Sequence, residues 1–477
     1  MLFAALILIP LLAAVVALLI TSNSLRPWVA LVAGVIHFAL TITILATSPA
    51  PIFGGWLGLD PPGKLTLLLI SALFLLCSIY TVGYLRARTE RSNQILVPCL
   101  LAFLAGATLV TCSLQLGLMW IAVEATALST APMIYFNRTQ LSIEATWKYL
   151  LISSVGIALA LLGSFFLAYA SLSHDAHPSL LFSHLVRHAA EFNIVWLKMA
   201  FVLLLVGYGT KMGLAPMHTW KPDAYGEAPG VVGALLAGGL TSCAFLALLR
   251  VDRICNAAGI GGYAGDMLMV MGLFSMAVAA VFMVGQKDIK RMLAYSSVEQ
   301  MGVLALGAGI GGPALFGALL HMINNGLTKG MLFLSAGNIH RRYGDKTSDQ
   351  IRGAMRRLPL SGTIFMLGFL AITGSPPFGP FISEFTILNG AVHAGRFFVA
   401  GLFLALLLVV FIGMGRTVLA VTQGKPLPGR GSAVFRDGIL TGWPLIVLFL
   451  LVLMLGLHIP DPLARMLHQA TTFMGAR

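Results

Sequence analysis

Four ionisable residues, Glu124, Lys211, Lys329 and Glu384, fall near the middle of long apolar stretches. Glu124 lies in LQLGLMWIAVEATALSTAPMIYF with about ten residues on either side, roughly 15 Å from each end of a helix at ~1.5 Å per residue. An isolated charge at that depth of a bilayer costs at least ~2.5–3.5 kcal/mol, so it faces a partner or water. Lys211 precedes Lys221 by ten residues, too deep for its stem to reach a surface comfortably. His321, Asn325 and Lys329 in HMINNGLTK recur at i, i+4, i+8 and make a slanting polar stripe on one helix face. Such a stripe can hold a file of water. A buried ammonium keeps its proton beside a carboxylate and gives it up more readily when the carboxylate withdraws, so an acid–lysine pair is a switch for protons. A static ion pair between helices, or a packing hydrogen bond at His321, is the other reading of any one of these residues. Two acids and two lysines distributed along the chain favour an ion pathway.

The elements that position them are membrane helices. The 477 residues are 58% hydrophobic and 10% charged, with a mean hydropathy of +0.91. About fourteen runs approach the ~20 apolar residues that cross a bilayer. They begin near Leu2, Trp28, Leu65, Ile95, Leu114, Lys148, Ile194, Val231, Tyr263, Ala294, Ala314, Thr363, Phe397 and Ile439. No polar connection between them is long enough to fold alone. The expected fold is an all-α polytopic membrane protein. The first run lacks a basic n-region and is long, so it reads as a span and not as a cleaved signal. Two segments are interrupted by glycine and proline: TKMGLAPMHTWKPDAYGEAP at 210–229 and TGSPPFGPFISE at 373–384. These are the seventh and twelfth runs. Paired broken helices point to internal repeats with an ion path between them, and a repeat of five spans inverts its second copy. The expected division is 1–94 for helices 1–3, 95–250 for a first repeat of helices 4–8, 251–421 for a second of helices 9–13, and 422–477 for helix 14 and a short tail.

The net charge of +13 is a topology signal and no sign of a nucleic-acid partner. With the N-terminus outside, nineteen Lys and Arg fall in inside connections, Lys221 among them, and seven in outside ones. The positive-inside rule then puts both termini outside and the loop from Arg341 to Arg357 inside. Cys77, Cys99, Cys112, Cys243 and Cys255 form no C-x-x-C pair and read as packed free thiols. No iron–sulfur or haem motif appears, so no cofactor is expected and any redox chemistry belongs to a partner. The stretch with His174, Asp175, His177, His184, His188 and Glu191 reads as a solvated loop, not a metal site. Lys198 is shallow enough to snorkel. Lys148 follows Glu144 by four residues, a possible i,i+4 pair.

The wording WIAVEATALS, TKMGLAPMHTWKPDAYGEAP, KDIKRMLAYSSVEQMG, HMINNGLTKGMLFLSAGNI and PPFGPFISEF resembles the antiporter-like subunits of complex I, group 4 membrane-bound hydrogenases and Mrp-type cation/proton antiporters. Within that family EATALS, EATWKYLL and AYSSVEQMG are most similar to the component F branch of hydrogenase-4-type complexes. The resemblance covers Leu100 to about Ala420. It implies that Glu124 pairs with Lys211, that Lys329 with His321 forms a central relay, and that Glu384 is the terminal acid. Lys148, Glu144, Thr241, Ser242, Asn325 and His218 are secondary candidates. It also implies partners among other membrane and peripheral subunits, membrane lipids around the chain, protons or sodium as the ion, and a bacterial inner membrane. The chain departs from the pattern in its eighth helix, GALLAGGLTSCAFLALL, which offers Thr241 and Ser242 where many relatives place Lys or His. Asn325 stands where some have His. The long lateral arm of the distal complex I subunit is absent from the sequence. The leading expectation is a proton-translocating subunit of a hydrogenase-4-like or complex I-like redox complex. A secondary Mrp-like antiporter, a membrane partner of an inorganic-carbon uptake protein, and a structural spacer that moves nothing are the alternatives.

Overall fold

Lipid offers no hydrogen bonds to the backbone, so a chain this apolar must satisfy its own peptide groups, and it does so with helices. The computed structural model describes residues 1–172, 179–425 and 435–475. Among them no β-strand occurs, only four isolated bridges between loops. The helices of the first part are α1 (Leu2–Leu19), α2 (Arg26–Thr47), α3 (Pro61–Arg86), α4 (Leu96–Cys112), α5 (Leu116–Ile134), α6 (Gln140–Ser171), α7 (Phe182–His188) and α8 (Ile194–Met212). Then follow α9 (Trp220–Glu227), α10 (Gly230–Leu235), α11 (Thr241–Ala257), α12 (Gly261–Met283), α13 (Ile289–Ile310) and α14 (Gly312–Tyr343). The rest are α15 (Ala354–Arg357), α16 (Pro359–Ile372), α17 (Gly379–His393), α18 (Phe397–Thr422), α19 (Ile439–Leu457) and α20 (Asp461–Met474).

Several starts are set by side chains that accept from the first free amides. Asp60 takes Gly63 N–H for α3, Gln115 takes Leu118 N–H for α5, Asn193 caps α8 and Asp288 caps α13. Ten of the helical segments are long and apolar enough to cross a membrane, with α4 and α16 apolar but shorter. By length and composition these are ten candidate crossings among the described residues, against the roughly fourteen expected. One element was not expected at all: α20 is an amphipathic helix that packs on α3 and α14.

The centre of the bundle is built from α14 and the segment Gly230–Ala257. The latter is buried from Gly230 to Asp252, and α14 packs on α3, α10, α13, α16, α17 and α19. Between α10 and α11 the chain makes a π turn over Leu236–Leu240. Its Gly238 packs closely on two helices: a Cβ there would sit 3.0 Å from Gly326 O of α14 and 2.5 Å from Leu73 of α3. Wide turns of this kind cluster at functional sites.

Both interruptions expected from glycine and proline are present. After Met212 the chain turns at Gly213 (φ +81°) before α9, and after Ile372 it turns at Gly374 (φ +67°) before α17. One end of the bundle gathers the loops near Leu57, Ser113, Gln115 and Leu181. There Arg250, counted above as an outside-loop charge, proves to be a buried residue of α11. It donates to both Asp60 oxygens at 2.8 and 3.0 Å and to the carbonyls of Val110 and Thr111. The opposite end carries Arg88, Arg91, Lys290, Arg341 and Lys346 around a cavity of about 310 Å³.

Candidate functional site

Glu124 and Lys211 meet. Lys211 Nζ lies 3.2 Å from Glu124 Oε2, with the lysine fully buried and the glutamate side chain 22% exposed. Lys211 belongs to the last turn of α8, whose free carbonyls favour a cation. Glu124 opens sideways between Ile121 and Leu128, two of the most exposed residues of α5.

Lys221 is the main correction. The charge count above places it in a connection at the membrane surface, and the eighth helix offers only Thr241 and Ser242 where many relatives place Lys or His. In the fold Lys221 is fully buried, and its Nζ donates to Ser297 Oγ at 3.1 Å. Its stem folds back over Gly213, where a Cβ would come within 2.1 Å of Lys221 Cε. Tyr149 lies 6.0 Å from Lys211 Nζ and Tyr225 lies 5.8 Å from Lys221 Nζ, with Trp220 packed against both rings.

Lys329 on α14 is likewise buried. Its Nζ donates to Ser296 Oγ at 2.7 Å and to Leu293 O at 3.2 Å. Glu299, one helical turn beyond Ser296 on the same face of α13, is buried and near enough to act electrostatically on Lys329. His321 does not bond Lys329. Its Nε2 pairs with Gln300 Oε1 and its Nδ1 with Ser383 Oγ at 2.9 Å. Gln300 in turn donates to Glu299 Oε2 at 3.0 Å and to Ile372 O, the last residue of α16. Glu299 and Gln300 were quoted above only inside AYSSVEQMG. The signal that marks them is an acid ten residues into a buried helix, the same signal that singled out Glu124.

Glu384 lies on α17, 5% exposed, and its Oε2 rests against Gly374. Its Oε1 makes no hydrogen bond, and neither do Oδ1 and Nδ2 of Asn325, which is fully buried. Thr241 and Ser242 are buried too, but their hydroxyls donate to Ala237 O and Gly238 O of the π turn. His218 packs against the rings of Phe282 and Tyr295. Glu144 and Lys148 form the i,i+4 pair at 2.6 Å, and Lys148 also holds Asp223 at 2.9 Å at the edge of the bundle. Asp223 is further bonded by Arg291.

His174, Asp175 and His177 lie outside the described residues. The rings of His184 and His188 lie 4.6 Å apart at a tilt of 34°, and His188 approaches Glu191 at 3.6 Å. Among the described residues no three His, Cys, Asp or Glu gather as a metal site would require.

Known proteins share this arrangement of helices. Residues 113–410 match the family described as NADH:quinone oxidoreductase/Mrp antiporter, TM. The chain is 37% identical over 366 residues to the hydrogenase-4 component F homolog of Methylacidiphilum infernorum, covering 75% of each chain. It is 31% identical over 385 residues to NADH-quinone oxidoreductase subunit N of Desulforudis audaxviator, covering 80% of this chain and 75% of that one. A chain of the membrane-bound sulfane sulfur reductase, an archaeal respiratory membrane complex, superimposes with a TM-score of 0.89 at 23% identity over 99% of this chain and 97% of that chain. A mid-span acid–lysine pair at a broken helix, set in this fold and carried by this match, makes the chain a member of the NADH:quinone oxidoreductase/Mrp antiporter family of membrane subunits.

Proposed function

We propose that this chain is the proton-translocating, antiporter-like subunit of a multisubunit redox complex of the hydrogenase-4 or complex I type. The observation that carries the reading is the Glu124–Lys211 pair, closed at 3.2 Å beside a helix break. While the pair is closed the ammonium is neutralised. Separating the two leaves Lys211 a charge in a low-dielectric site, and it relieves that by passing a proton inward. The polar groups that follow, Ser297, Ser296, Lys329, Glu299, Gln300, His321 and Glu384, supply a line of hydrogen-bonding and ionisable side chains across the bundle. Asn325, with both amide atoms unpartnered, marks a place where water fits the line.

The two broken helices support a division into halves 95–250 and 251–421, each interrupted by a left-handed glycine followed three residues later by proline: Gly213 with Pro216, Gly374 with Pro377. The membrane is the bacterial inner membrane, with both termini on its outer face. Several of the charges used for that orientation are buried (Arg26, Lys221, Lys290 and Arg250) and do not meet lipid headgroups. Without them the balance is sixteen inside to six outside, still strongly asymmetric. A cysteine placed in the 345–352 loop is expected to be labelled only from the inner face; labelling from the outer face overturns the orientation.

The functional test is isolation of the native complex with identification of its co-purifying subunits, followed by Lys211→Ala. Electron-transfer subunits are expected to co-purify, and the variant is expected to assemble but move no protons. Normal pumping by an assembled Lys211→Ala complex makes the pair structural. Translocation that requires sodium and proceeds without electron transfer assigns the chain to a secondary antiporter instead.

A further inference from the structure

We propose that Lys221 carries protons between Lys211 and Lys329, and that it is to the first half of the protein what Glu384 is to the second. The inference rests on the translocating function argued above.

The two helix breaks support it first. In each, a charged side chain from the second half-helix folds back over the left-handed glycine of the break. A Cβ on Gly213 would lie 2.1 Å from Lys221 Cε, and one on Gly374 would lie 2.1 Å from Glu384 Oε2. The shared geometry places a proton-exchanging group at the same point of each break, a base in one and an acid in the other.

Position is the second support. Lys221 and Lys329 are held by consecutive residues of α13: Ser297 Oγ takes Lys221 Nζ at 3.1 Å and Ser296 Oγ takes Lys329 Nζ at 2.7 Å. The opposing segment is less suited to the step, because it holds no ionisable side chain there and the hydroxyls of Thr241 and Ser242 donate to Ala237 O and Gly238 O. Unlike Lys211, Lys221 has no carboxylate within ion-pair distance among the described residues. It can therefore take and release a proton without breaking a pair. The step is a simple exchange: the Lys211 ammonium gives one proton to the neutral Lys221 amine, directly or through a hydroxyl, and Lys221 passes one on to Lys329. One proton enters and one leaves, and no electron moves.

The competing role is a strut in which Lys221 merely ties α9 to α13. Arginine separates the two, because it keeps charge and donors but does not release its proton in a protein. The measurement is protons moved per turnover by the intact complex in sealed vesicles, alongside the amount of complex assembled. Lys221→Gln and Lys221→Arg are each expected to lower translocation at least tenfold in assembled complex, with Lys221→His restoring part of it. Wild-type pumping in Lys221→Arg or Lys221→Gln, in vesicles where Lys211→Ala abolishes it, overturns the proposal and leaves the translocating function intact. If Lys211→Ala is silent as well, both fall. Should the Lys221 variants fail to accumulate, Ser297→Ala removes only the hydroxyl that holds the ammonium. It is expected to slow translocation several-fold, and an unchanged rate overturns the proposal.

Discussion

Gly374 lies directly beneath the carboxylate of Glu384, with no room for even a methyl group between them. Its φ of +67° is also one that L side chains adopt at a cost of about 1–2 kcal/mol. Gly374→Ala is therefore expected to displace Glu384 and lower the thermal midpoint by a few degrees, with translocation reduced at least tenfold. Gly213→Ala should do the same through Lys221. A Gly374→Ala complex that pumps at the wild-type rate would show that the position of this carboxylate is immaterial.

Asn325 separates stability from transport. It is fully buried with neither amide atom bonded to protein. No protein hydrogen bond is lost when Asn325 is replaced, so an apolar side chain of similar shape is close to neutral for stability or mildly stabilising. Asn325→Leu is expected to raise or preserve the melting temperature while cutting proton movement several-fold, by drying the passage near Lys329. Normal transport with a raised melting temperature would return Asn325 to a packing role.

The Arg250–Asp60 clamp predicts the reverse pattern. Both side chains are buried, and Asp60 also caps α3 through Gly63. Arg250→Met strands the carboxylate, a change that costs about 3–5 kcal/mol when a buried pair loses one member. The expected result is much less assembled protein, with the surviving complex pumping normally. A specific loss of pumping at normal abundance would move this pair into the ion pathway.

Outside the membrane, Glu90 accepts from Arg341, and that hydrogen bond holds its carboxyl below the usual carboxylate range. A depressed folded value contributes stability above the unfolded pKa and loses it as the pH falls through the folded one. The effect is small, because Glu90 is half exposed and solvent screens the pair. Acidification below about pH 4 is expected to lower hydrogen-exchange protection, relative to the intrinsic rate at each pH, in the 87–94 loop of the wild type and to change Glu90→Gln much less. Equal loss of protection in both proteins would exclude this pair as the cause.

The helices, both breaks and the charges Glu124 and Lys211 were legible because each has a one-dimensional signature: apolar length, glycine with proline, and charge at mid-span; that the two charges pair was implied only by the family resemblance. Lys221 escaped because its signature is the opposite. A lysine between tryptophan and proline, beyond a helix break, reads as chain returning to water, and only the fold-back over Gly213 buries it. Glu299 escaped for a related reason, since it shares a helix whose first turn carries Lys290 and Arg291 and so looks amphipathic. That Lys290 is itself buried, with its ammonium on Ala228 O, is a tertiary fact that no local pattern records. The π turn that brings Gly238 against α14 is likewise invisible in GALLAGGL.

The sideways opening of Glu124 bears on how the assembly is made. A newly inserted copy of this chain leaves part of the Glu124 side chain open on the bundle's flank between Ile121 and Leu128. That exposure is unfavourable until another polypeptide covers it. The lone subunit is thus the less durable species, and the residue that starts transport also favours docking. Biogenesis should run by capture of the free chain onto a neighbour that shields α5, with orphan copies cleared before they can leak protons.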